Sequence, residues 1–70
     1  MKKQGIAQQS ILKRLYSVDE AGVYLGRSAN AIRSLCYSGK LAVVKIDNRV
    51  FIDINDMNRL IEQSKIRLDD

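Results

Sequence analysis

A chain of 70 residues, 46% of them hydrophobic, supports one small domain, and three Tyr, one Phe and no Trp leave little volume for a large ligand cavity. A single Cys and no His exclude an internal disulfide and a Cys/His zinc site, and no apolar run is long enough to span a bilayer. The formal charge of +4 is placed unevenly: residues 1–16 hold Lys2, Lys3, Lys13 and Arg14 with no acid, which suits a polyanionic partner, although many small domains without one carry as much.

Residues 1–14 read as a basic flexible arm, because MKKQGIAQQS has no periodic apolar face. Ile11, Leu12 and Leu15 are expected to pack back onto the domain as a short helical lead-in. A first helix starts at Ser17, where Ser17-Val18-Asp19-Glu20 is a capping box. Val18, Ala21 and Leu25 then share one face, and Gly26 ends the helix where positive φ is cheap. Ser28 restarts a helix so soon that the two must cross steeply. The second helix spans roughly 29–38, with Ile32, Leu35 and Cys36 inward and Gly39 as its stop. Ala29, Asn30, Arg33, Ser34 and Tyr37 are left outside.

After Gly39 the hydrophobic period changes from helical to two. In LAVVKIDNRVFI, Val44 and Ile46 share one strand face and Val50 and Ile52 a face of the next. Lys45, Arg49 and Phe51 point the other way, and Phe51 is expected to pack under the Ile11-Leu12-Leu15 segment. Asp47-Asn48 forms a two-residue turn, since both types tolerate left-handed backbone. A last helix is expected from a cap near Asn55, with Asp56 in its first turn. Met57, Leu60, Ile61 and, at its end, Ser64 make the inner face, and residues 67–70 fray.

Five pieces of this pattern occur together in one order: Ser17-Val18-Asp19-Glu20-Ala21, Tyr24-Leu25-Gly26 followed by Ser28, Ser38-Gly39-Lys40-Leu41, Arg49, and Asp56-Met57. In that order and spacing, residues 15–62 resemble the excisionase-like group of small winged helix-turn-helix domains, related to the MerR type. The resemblance implies a mostly α fold with a small β-hairpin: a helix-turn-helix, a two-stranded wing and a C-terminal helix, within a domain of residues 15–66. Two positions depart from the group. Gly22 stands where Ala is usual, at the expected meeting point with Ile32, so Gly22→Ala is expected to be neutral or stabilising. Arg27 replaces an aliphatic residue, with its stem expected inward and its guanidinium emerging toward a phosphate.

Alone, the outer face of residues 28–40 reads as an ordinary solvated helix. With the turn and hairpin it reads as a recognition helix for duplex DNA. Small Ala29 and Ser34 permit close approach, Asn30 matches an adenine edge, Arg33 matches guanine or a phosphate, and Tyr37 completes the base-facing set. Arg27, Ser28, Lys40, Lys45, Asn48 and Arg49 fall to the backbone or minor groove, although Lys45 and Arg49 also suit edge-strand charge that deters aggregation. The resemblance implies a recombination directionality factor acting with an integrase or with adjacent copies of itself, or a small transcriptional regulator, in the cytoplasm at the nucleoid. A rival reading is an antitoxin-like interaction module using Phe51 and the last helix. No cofactor or metal is expected, and enzymatic chemistry is the weakest class. Cys36 lies on an apolar stripe with no His to activate it, and Asp53-Ile54-Asn55-Asp56 has Asn58 where a calcium loop needs Gly.

Overall fold

In the computed structural model, which describes residues 12–68, helix α1 (Val18–Leu25) opens with the capping box read from the sequence. Ser17 Oγ accepts from the Glu20 amide at 3.1 Å, and the Ser17 amide donates to Glu20 Oε1 at 2.9 Å. The helix closes at Gly26 (φ 70°), where the Gly26 and Arg27 amides donate back to the Val23 and Gly22 carbonyls. Helix α2 (Ala29–Tyr37) follows at once, capped by Ser28 Oγ on the Ala31 amide at 3.1 Å. The turn between them is tight enough to constrain its own residues. A Cβ built on Gly22 would stand 2.5 Å from the Arg27 carbonyl oxygen. Gly22 is therefore needed for close approach of the turn backbone, since the atoms nearest that Cβ belong to Arg27 and Ser28. The expectation that Ala is neutral there is overturned.

Strands β2 (Val44–Ile46) and β3 (Arg49–Asp53) form the hairpin, with Asp47 and Asn48 at φ 50° and 65° in the turn. The alternation within each strand is as read, but the register corrects how the two faces combine. Val44 pairs with Phe51, Lys45 with Val50, and Ile46 with Arg49. Directly opposed residues share a face, so Val50 and Ile52 lie on the side of Lys45, while Val44 and Ile46 lie with Arg49 and Phe51.

The lead-in also differs from expectation. Leu15–Tyr16 is a short strand, β1, pairing antiparallel with Asp53 and Ile52 to give the sheet order β1-β3-β2. The free edge of β3 offers ladder partners that a helix could not use, and the Arg14 carbonyl accepts from the Ile54 amide at 2.8 Å. Leu12 is 89% exposed and does not pack on the domain. Leu15 shares the sheet face of Phe51, which is half-buried, while Ile11 lies outside the described residues.

Helix α3 (Ile54–Ser64) begins earlier than expected, because its cap is Asp53 rather than Asn55. Asp53 Oδ1 accepts from the Asn55 amide at 2.8 Å, so one residue ends the strand and caps the helix. Met57 is buried, Leu60 and Ile61 are half-buried, and Ser64 is exposed. Ala21, Ile32, Leu41, Ile52 and Met57 form the fully buried core, one or more from each helix and from β3, with Leu41 from the loop after α2. Tyr24 joins α1 to α3 by donating its hydroxyl to Asn58 Oδ1 at 2.6 Å.

Candidate nucleic-acid interface

Burying Ile32 and half-burying Leu35 and Cys36 fixes which side of α2 faces out. Asn30, Arg33, Ser34 and Tyr37 occupy that side and are exposed, Tyr37 by 86%. Ala29, in the first turn, is half-buried. The face carries no acid, and the Ser28 hydroxyl, whose oxygen is used by the cap, keeps its own proton free to donate.

Two grooves border this face. Toward the hairpin, Arg33 and Tyr37 rim a furrow with Val43 and Val50, floored by Val18 and Cys36. Lys45 shares the sheet face of Val50 and so extends that flank, whereas Arg49 lies on the opposite face of the hairpin. Toward α3, Ser34 and Ser38 line a second groove with Arg27 and Lys40. Arg27 is exposed, as its expected phosphate reach requires, and Asn48 stands at the exposed hairpin tip. The exposed helix is thus flanked by cations on both sides. Val43, Val50 and Ser38 are not among the site residues expected from the sequence. Their place depends on strand register and on where α3 lies, neither of which periodicity reveals.

Among the described residues, Arg27, Arg33, Lys40, Lys45 and Arg49 form no ion pair. Arg33 donates from Nη1 to Asn30 Oδ1 at 3.2 Å. From Arg27 to Arg49 the chain carries these five cations against one acid, Asp47. Such a concentration of unpaired charge beside an exposed helix creates a positive field that attracts phosphate. Four other described cations, Lys13, Arg14, Arg59 and Lys65, are paired internally. Lys13 pairs with Glu20 and lies 5.0 Å from the Tyr16 ring centroid, and Arg14 Nε donates to Asp53 Oδ2 at 3.0 Å. Arg14, and next the Asn55 amide, hold the Asp53 carboxyl below its ordinary range. Lys13, with Ser17, does the same for Glu20. Burial pushes the Cys36 thiol up, which disfavours the thiolate a nucleophile would need.

Two helices joined by a tight turn, a hairpin wing and a closing helix define a winged helix-turn-helix. Residues 15–65 match the family described as Helix-turn-helix domain, and the chain belongs to it. Membership gives it the helix pair by which such domains bind duplex DNA. No curated protein and no solved structure matches the chain. No described helix is long and apolar enough to cross a membrane.

Proposed function

We propose that the chain binds duplex DNA sequence-specifically, with α2 in the major groove, as a recombination directionality factor of a mobile element. The observation that carries the binding mode is the exposed, acid-free face of α2 between two cationic flanks. Ala29, Asn30, Arg33, Ser34 and Tyr37 face base edges. Arg27, Ser28 and Lys40 hold phosphates on one side, and Lys45 on the other. Arg49 and Asn48 reach past the helix toward the adjacent minor groove. The excisionase role rests on the order of sequence motifs, and the same surface serves a transcriptional regulator equally well.

Duplex binding should be steeply salt-dependent. Neutralising about four phosphates gives a slope of log affinity against log salt of roughly −3 to −4. A salt-insensitive interaction, or none at low salt, would refute the DNA reading. An excision assay with the integrase of the same element tests the role: stimulation supports the directionality factor, and tight operator binding without stimulation identifies the regulator.

A further inference from the structure

Asn30 and Arg33 stand one turn apart on the exposed face of α2, joined by the 3.2 Å bond from Nη1 to Oδ1. Reading an adenine edge bidentately requires an asparagine to offer both its amide oxygen and its amino group. Here Arg33 already holds one of the two lone pairs of that oxygen, so the amide is oriented by its own helix neighbour before any base arrives. The guanidinium, by contrast, has N–H groups to spare. One donation to Asn30 leaves the fork formed by Nε and Nη2, which matches the paired acceptors O6 and N7 of guanine. A long arginine on a helix surface otherwise samples many rotamers, and fixing it in advance lowers the entropy lost on binding. No carboxylate among the described residues competes for Arg33.

We infer that Asn30 is a positioning residue whose amide oxygen holds Arg33 in place, so that the pair forms one guanine reader instead of two independent base readers. The inference rests on the DNA reading of the α2 face and assigns the chemistry within it. One position of the target is then a guanine read by Arg33, and Asn30 selects no adenine of its own.

The test compares the base preferences of wild type, Asn30→Ala, Asn30→Asp, Arg33→Ala and the Ala/Ala double variant across a randomised duplex library. Wild type should prefer guanine at one position by roughly five- to a hundredfold, and Arg33→Ala should abolish that preference. Asn30→Ala should reduce the same preference by roughly two- to tenfold, and the double variant should be no worse there than Arg33→Ala alone. Asn30→Asp keeps an oxygen acceptor but loses the amino group. It should retain the guanine preference while binding every duplex more weakly, because its charge repels phosphate. An adenine preference at another position, lost in both Asn30 variants while the guanine position is untouched, would overturn the inference. Asn30 would then be a reader in its own right and the DNA reading would stand. Duplex binding by wild type with no base preference would remove the DNA reading of α2 together with this one. Both positions are exposed, and circular dichroism of each variant confirms that its preferences are those of a folded chain.

Discussion

Lys13, Arg14, Arg59 and Lys65 each meet a carboxylate, whereas Arg27, Arg33, Lys40, Lys45 and Arg49 meet none among the described residues. In the first group, Lys13 and Arg14 lie before α1 and reach acids elsewhere in the fold, Glu20 and Asp53, whereas Arg59 in α3 and Lys65 at its end pair with acids three residues earlier. The second lies on the turn, α2, the loop after it and the hairpin, where Asp47 is the sole acid from Arg27 to Arg49. Formal charge therefore misstates the molecule. Paired cations on the surface contribute little field and little stability, while Arg27, Arg33, Lys40 and Lys45 add to one another around α2. A modest overall charge can thus still give a strongly basic face.

What holds that face in position is the turn between α1 and α2, and disturbing it should have the largest effect. Gly22→Ala places a methyl group 2.5 Å from the Arg27 carbonyl, a backbone atom tied by its own residue's amide to the Gly22 carbonyl. Overpacking of this kind costs about 1–3 kcal/mol, and Gly22→Leu should cost more than Ala. Denaturant unfolding measures the loss, and duplex affinity should fall with it, because Arg27 and Ser28 move with the turn. An alanine variant as stable as wild type would show that the turn has room, and that the flank carrying Arg27 is not fixed by it.

The next effect addresses the two groups of cations directly. Lys40→Ala and Lys45→Ala should each make the salt slope shallower by about one. Arg59→Ala and Lys65→Ala should leave it unchanged, since each removes half of an internal pair with Asp56 or Glu62. Lys45→Ala should also weaken binding more than Arg49→Ala, because only Lys45 shares the face of Val50 beside α2. Titrations of one duplex at several salt concentrations read all five variants. Equal slopes across both groups would erase the distinction.

The elements that could be read from sequence are those whose signals are local. Ser17 and Ser28 cap helices through side chains reaching only three residues ahead, and Asp47-Asn48 supplies its own left-handed turn. The outward residues of α2 followed from the position of Ile32. Non-local features were not legible. β1 is two residues long and exists only because β3 has a free edge, so no period could reveal it. Asp53 outcompeted Asn55 as the cap because the strand delivers it to the helix start with Arg14 already beside it. The hairpin faces depended on a register that places Lys45 against Val50, and the need for Gly22 on a carbonyl five residues later. For the candidate site, the residues of the helix were visible, whereas the flanks that frame it were created by tertiary placement.

The smallest effect belongs to the paired side, where Arg14 and Asp53 join β1 to the start of α3. Arg14 is well exposed, so water screens its attraction and only a modest share of stability rests on it. The sign of its pH dependence is nonetheless fixed. Arg14 and the Asn55 amide hold the Asp53 carboxyl below its ordinary range in the folded chain, so the folded state binds the proton less readily than the unfolded one. The contribution is complete above about pH 4 and is lost as pH falls through the lowered folded value. Asn at this position keeps an oxygen for the helix cap and removes the charge. Asp53→Asn should therefore melt below wild type at neutral pH, and the gap should narrow on acidification as wild type loses the same charge. Added salt should narrow it as well. A gap as wide at about pH 3 as at about pH 7 would show that Asp53 acts through shape and capping alone. The pairing of Arg14 would then contribute nothing to the fold, and this cation would belong with the unpaired ones.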